Sequence, residues 1–174
     1  QVADVLVGIN RFNRGSIGAA IVRVFGLTAA STGVSEAQAK LANLPIAVVH
    51  IAGKDHAAYY PGAKDLLLKL IFNPHSGEIY GAQGIGEKGV DKRIDIIATA
   101  IKGHLTIFDL PELELTYAPP FGSAKDPINM LGYAAMNLAE GLSDNIQWHE
   151  LKSYLKQNYR LLNVLQAQEL EQGR

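Results

Sequence analysis

No cysteine occurs among the 174 residues. Disulfides, thiolate nucleophiles, paired redox thiols and cysteine-bound zinc are therefore excluded from this chain's own chemistry. Charge of one sign is also lacking: 16 Lys and Arg against 17 Asp and Glu leave a net charge of −1. No Lys/Arg-rich run appears, so nothing in the charge points to nucleic acid. No apolar segment approaches the ~20 residues needed to cross a bilayer. No basic front and small-residue cleavage site mark a signal peptide. The five histidines, at 50, 56, 75, 104 and 149, form no H-x-x-x-H pair. No carboxylate cluster accompanies them at ligand spacing, so no metal site is expected. Ser16, Ser123 and Ser143 lack a G-x-S-x-G context, which removes the usual hydrolase nucleophile.

What is present is enough apolar material for a core, 48% of the chain, in a length that suits one domain with an appendage. The ends read as cut. QVADVLVG already carries Val2, Leu6 and Ile9 near helical spacing, and the chain stops straight after LLNVLQAQELEQ. A segment of a longer protein is expected.

The order of elements reads as α+β. Ser16–Thr32 is rich in apolar and β-branched residues and predicts one or two strands bent at Gly26. Ser35 and Gln38 stand at capping-box spacing and open a short helix to about Ala42. After Pro45, IAVVHIA reads as a strand. Leu66–Phe72 and Glu78–Gln83, joined by the turn residues NPHSG, predict an antiparallel hairpin. Val90, Ile94, Ile97, Ala98 and Ile101 mark a helix with Gly103 as its stop. YAPPFGS, with two prolines, fits neither helix nor central strand. Asp126 followed by Pro127 is an N-cap and N1 proline for a helix to Glu140, stopped at Gly141. Strands with hairpin links and helices that do not alternate with them predict an antiparallel sheet flanked by helices.

Inside this pattern, GIGEKG (residues 84–89) matches G-x-G-x-x-G, the dinucleotide-binding turn. That motif works within a parallel βαβ unit, where glycines admit the pyrophosphate and a helix N-terminus stabilises its charge. Here the preceding strand is the second arm of a hairpin. The acidic residue near the required distance, Asp109, lies in a stretch broken by Pro111. Asp91 would bring an anion close to the phosphates. A strand-to-helix turn is therefore favoured over a nucleotide loop. Asp91, Lys92, Arg93 and Asp95 read as the solvated or interface face of the following helix. The broad apolar band of Ile128, Met130, Leu131, Ala134, Ala135 and Leu138 fits equally a core helix or one packed on two sides, as in a dimer.

Four segments in order, GSIGAAIVRVFGLTAASTG, HAAYYPGA, IGEKGVDKRIDIIATAI and YAPPFGSAKDPINMLGY, resemble the C-terminal dimerisation domain of the FAD-dependent pyridine nucleotide–disulfide oxidoreductases. The similarity lies nearest the branch of CoA-disulfide reductase, NADH oxidase and NADH peroxidase and covers about residues 1–141. It implies residues 1–14 as the end of the preceding FAD-domain helix and a linker, and 15–141 as the dimerisation domain. Residues 142–174 then form a linker and a truncated rhodanese-like start.

In that family the FAD domain, the NAD domain and a single redox cysteine precede this region. The resemblance implies a cytoplasmic homodimer that moves electrons from NAD(P)H through FAD to CoA disulfide or a related acceptor. FAD and NAD(P)H belong to the full-length protein, and none is expected to bind this fragment, which alone is expected to be inactive. No nucleic acid or membrane partner is implied. Tyr59 and Tyr117 match the family's tyrosines at the CoA-disulfide pocket, which serve the partner subunit's active site. Pro119, Pro120 and Phe121 match the segment along the partner's flavin, with Phe121 replacing a common tyrosine. In the tail, Asn163 and Leu165 stand where a rhodanese run like LLDVR has an acid and an arginine, so no sulfur transfer is assigned. About 28 residues cannot bury a core alone, since domains below ~40 residues usually need staples. By residues alone, Tyr59, Tyr60 and Tyr117 also fit aromatic anchors beside turns. A non-catalytic protein-interaction module is the alternative function.

Overall fold

The computed structural model describes residues 1–157, 159–162 and 164. The described residues divide into two units, the first over residues 1–143 and the second from residue 144 onward. The first opens with the short helix α1 (Val2–Leu6). Five strands follow, β1 (Ala20–Val24), β2 (Leu27–Gly33), β3 (Ala47–Lys54), β4 (Asp65–Phe72) and β5 (Ile79–Gly86). They form one sheet in the order β1-β2-β5-β4-β3, with every neighbouring pair antiparallel. Helix α2 (Glu36–Leu41) links β2 to β3, and α3 (Val90–Lys102) and α4 (Pro127–Ala139) follow the sheet. The fold class is α+β, as the order of sequence patterns implies.

Local chemistry explains most of the boundaries. The β1–β2 hairpin turns at Phe25 and Gly26, both at positive φ (50° and 85°), the backbone of a two-residue turn that follows strand twist. Ser35 caps α2 in a full capping box with Gln38. At the β4–β5 turn the Asn73 Oδ1 accepts the His75 and Ser76 amides, an Asx-type closure. Asp126 and Asn129 form a second capping box at α4, with Pro127 in its first turn. The stop of α3 differs from the sequence reading. Gly103 keeps φ at −85°, and the left-handed residue is His104, at φ 57°.

Strand alternation sorts side chains to two faces. Leu66, Leu68 and Leu70 of β4 enter the main core with Val90, Ile94 and Ile97 of α3 and Ile128, Leu131 and Ala135 of α4. Ile71 points the other way and packs with Val48 and Ala39 under α2. Each fully buried Leu or Ile contributes about 1.5–3 kcal/mol of transfer free energy, so the helix pair is fixed to one sheet face. On α4, Met130 and Tyr133 remain partly exposed while Ile128 and Leu131 are buried.

The glycines of GIGEKG have structural causes. Gly84 and Gly86 lie within β5, which pairs antiparallel with both neighbours. Only Glu87, Lys88 and Gly89 form the turn. A Cβ on Gly84 would stand 3.0 Å from Leu68 and Val90 side-chain carbons, and one on Gly86 would stand 2.8 Å from the Asp65 carbonyl oxygen. The space a pyrophosphate would need is filled by β4 and α3. Asp109 accepts hydrogen bonds from the Thr106 amide and hydroxyl and organises a turn before the short 3₁₀ segment Leu110–Glu112.

The second unit contains α5 (Leu151–Lys156). The Gln147 amide donates to the Glu150 carboxylate before it. Asn163 and Leu165, the positions compared with the rhodanese run, lie outside the described residues. Among those residues no helix is long and apolar enough to cross a membrane.

Candidate functional site

Two loops carry the tyrosines. Residues 55–64 join β3 to β4, and residues 113–126 run from the 3₁₀ segment to α4. Although 58 positions separate them, the Tyr59 and Tyr117 hydroxyl oxygens lie 3.1 Å apart. The pair faces solvent, with Tyr59 75% and Tyr117 48% exposed. Hydrogen bonding from Tyr59, aided by partial burial, raises the Tyr117 pKa above the usual phenol value. The Tyr117 phenol therefore stays protonated at neutral pH. One hydroxyl proton is used within the pair. The other is free for a third group.

The loops are tied beneath the hydroxyls. The Ala57 amide donates to the Gly122 carbonyl at 2.9 Å. Asn129, in the first turn of α4, donates through Nδ2 to the Leu110 and Leu113 carbonyls at 3.0 and 3.1 Å, which sets the path of the chain just before Tyr117. Pro119–Phe121 form a turn closed by the Phe121 amide on the Ala118 carbonyl at 2.8 Å. Phe121 is 72% exposed.

Below this lies a charge pair that the helical pattern did not reveal. Arg93 was expected on the solvated or interface face of α3, but it is only 1% exposed. Its Nε and Nη2 donate to the two carboxylate oxygens of buried Asp126 at 3.1 and 2.7 Å. Nη2 also donates to the Asp55 carbonyl at 2.9 Å, and Nη1 to the Gly89 carbonyl at 3.2 Å. The reason for the burial is geometric. Asp126 must sit at the start of α4 as its cap, where Oδ1 accepts the Ile128 amide at 3.0 Å. A buried carboxylate at that place requires a cation with hydrogen bonds to both oxygens, and the guanidinium fork supplies them. A Cβ on Gly89, which sits at φ 72°, would collide with the Arg93 Nη1. The only sequence signal was an arginine flanked by apolar positions on the helix.

Asp55 completes the anchorage. Burial raises its pKa, but the Lys64 amide at 2.6 Å and His56 Nδ1 at 2.9 Å outweigh it and hold the carboxyl below its usual range. The His56 ring meets Tyr60 edge-on at 5.8 Å, and its buried Nε2 has no partner among the described residues. Beside the loops is an open cleft of about 610 Å³, whose lining includes His56, Ala58, Ser123, Lys125 and Met130.

The fold and this loop pair define a class: an α+β domain with an antiparallel sheet that presents a pair of hydrogen-bonded tyrosines outward. The family model for the pyridine nucleotide-disulphide oxidoreductase dimerisation domain matches residues 19–126. The chain belongs to that family. It is 37% identical over 138 residues to the coenzyme A disulfide reductase of Staphylococcus haemolyticus, covering 79% of this chain and 31% of that protein. The crystal structure of reduced Bacillus anthracis CoADR-RHD superposes with a TM-score of 0.94 at 50% identity, covering 98% of this chain and 31% of the other. A NAD-dependent persulfide reductase from A. fulgidus gives a TM-score of 0.81 at 42% identity, over 83% of this chain and 27% of the other. The chain thus spans about a third of the length of these relatives.

Proposed function

We propose that this chain is the dimerisation part of a homodimeric flavoprotein disulfide reductase and completes its partner subunit's active site with Tyr59 and Tyr117. The overall reaction on this reading is NAD(P)H plus a proton plus CoA disulfide giving NAD(P)⁺ and two CoA thiols, with FAD as the intermediate carrier. Two electrons and two protons reach the two sulfurs. Cofactors are held by the rest of the protein. Two segments support this: at GIGEKG, Gly84 and Gly86 are closely approached by packed atoms of β4 and α3, and Pro119–Phe121 carry no charged side chain to take a phosphate. Pro119, Pro120 and Phe121 then contribute an apolar edge beside the partner's flavin.

The observation that carries the reading is the exposed hydroxyl pair at 3.1 Å. A protonated phenol with one spare hydrogen can donate to a disulfide sulfur or to the thiolate as it leaves. The names of the relatives support the acceptor class, as they act on CoA disulfide or on persulfides. The proposed domain boundaries are residues 1–14 as the end of the FAD-domain helix and a linker, 15–141 as the dimerisation domain, and 142–174 as a linker and truncated rhodanese-like start, in a cytoplasmic enzyme.

The test is Tyr117→Phe in the full-length flavoprotein. Loss of a positioned proton donor should lower the rate of CoA disulfide reduction by 10²-fold or more, while NAD(P)H still reduces the flavin at the original rate. An unchanged turnover would remove the tyrosine from the chemistry.

A further inference from the structure

We infer that Arg93 is a positioning residue for the Tyr59–Tyr117 pair: a buried guanidinium that locks the two tyrosine loops to each other. The inference rests on the reading above that the pair serves an acceptor site. Three observations carry it.

First, Arg93 is the common partner of both loops. Its Nη2 donates to the carbonyl of Asp55, the first residue of the Tyr59 loop, at 2.9 Å, and to the carboxylate of Asp126, the last residue of the Tyr117 loop, at 2.7 Å. One nitrogen thus joins backbone on one side to a capping carboxylate on the other. Second, both ends are themselves fixed. The Asp55 side chain is held by the Lys64 amide and His56, and Asp126 by the Ile128 amide, so each loop base is ordered locally and Arg93 sets the position of one base against the other. Third, the remaining ties are few. Beyond Arg93, the hydrogen bonds between the loops among the described residues are Ala57 to Gly122 and the hydroxyl contact itself. Two phenols that are 75% and 48% exposed have little packing to hold them at hydrogen-bond distance. Their meeting depends on the loop bases.

A lysine cannot reproduce this. Its ammonium is a point charge on a flexible stem and has no planar fork. Arg93→Lys keeps the positive charge beside Asp126, so the helix pair survives while the two-sided tie is lost. Displacements near 1 Å at a reacting centre can lower rates by about 10²-fold.

The experiment compares the wild-type full-length flavoprotein with Arg93→Lys and Tyr117→Phe, each labelled with ¹³Cζ-tyrosine. The expected result for Arg93→Lys is a folded protein whose melting transition is lowered, because the Asp55 and Gly89 carbonyls lose their buried donor, with a rate of flavin reduction by NAD(P)H close to wild type. Its kcat for CoA disulfide should fall at least tenfold. The Tyr117 ¹³Cζ titration, identified by its absence in Tyr117→Phe, should move down toward the ordinary phenol range as the hydroxyl contact opens. A merely structural arginine would leave that titration and kcat unchanged, and this outcome overturns the inference. If Arg93→Lys fails to fold, Gly89→Ala, whose Cβ meets Nη1, provides the second displacement, and an unmoved Tyr117 titration there overturns it equally. Should Tyr117→Phe keep full turnover, the tyrosine reading itself fails. Should Tyr117→Phe lose turnover while Arg93→Lys matches wild type in both readouts, only the positioning role fails.

Discussion

Replacing Asp126 with alanine removes two functions at one stroke. It deletes the cap of α4, which accepts the Ile128 amide at 3.0 Å, and loss of such a cap costs about 1 kcal/mol. It also strips Arg93 of both carboxylate contacts at 1% exposure, and breaking a buried pair on one side costs about 3–5 kcal/mol. The two effects share one side chain and are not additive, so about 4 kcal/mol is expected. Lys92, half-buried and 3.9 Å from the same carboxylate, makes a long contact that changes this by no more than about 1 kcal/mol. In urea, with a slope of roughly 2 kcal/mol/M, the midpoint should fall by about 2 M at unchanged slope. The companion Arg93→Met and the double variant Arg93→Met/Asp126→Ala complete a cycle. The double variant should be more stable than the sum of the single losses by at least about 1.5 kcal/mol, because neither buried charge is then left alone. A loss below about 1 kcal/mol for Asp126→Ala, or zero coupling, would show that the pair is solvated and refute the reasoning.

Two further predictions concern the frame. Glu36 bonds Lys40 and Lys69, each at 2.6 Å, and these contacts lower its pKa from 4.5 to about 2 despite partial burial. A depressed carboxyl stabilises above its unfolded pKa, so this contribution is complete above pH 4.5 and fades as pH falls toward 2. Allowing for solvent screening it amounts to about 1–2 kcal/mol. Urea midpoints at pH 6 and pH 3 should therefore converge more in Glu36→Gln than in wild type, and parallel behaviour would contradict the triad. Gly86→Ala should destabilise by about 1–3 kcal/mol by overpacking, since its Cβ meets the Asp65 carbonyl at 2.8 Å. A thermal midpoint equal to wild type would contradict the β4–β5 register.

Much of this architecture is readable from residues. The Ser35 capping box, the Asp126 cap with its following proline, the bend at Gly26, the NPHSG hairpin and the helix launched after GIGEKG are local effects, and local chemistry decides them. Gly84 and Gly86 are different. Their role as part of a packed strand depends on Leu68 and Val90 beside Gly84 and on Asp65 and Leu66 beside Gly86, which reach them only through the sheet and α3. Arg93 escaped for the same reason. Its neighbours on the helix mark an amphipathic face, and nothing local tells that Asp126, 33 positions away, will be buried against it. The resemblance singled out Tyr59 and Tyr117 separately. Their contact, and the role of Asn129 in setting the chain before Tyr117, follow from how the loops close over α3 and α4.

Subunit complementation measures whether Tyr59 and Tyr117 act across the proposed dimer. One full-length subunit carries the redox cysteine replaced by serine, the other carries Tyr59→Phe/Tyr117→Phe, and tagged heterodimers are purified and assayed for CoA disulfide reduction. If the tyrosines serve the partner's site, one site of each heterodimer loses both cysteine and tyrosines and the other retains all of them, so about half of wild-type turnover returns. Heterodimers no more active than the two parental homodimers would place the tyrosines in their own subunit's site and contradict the account.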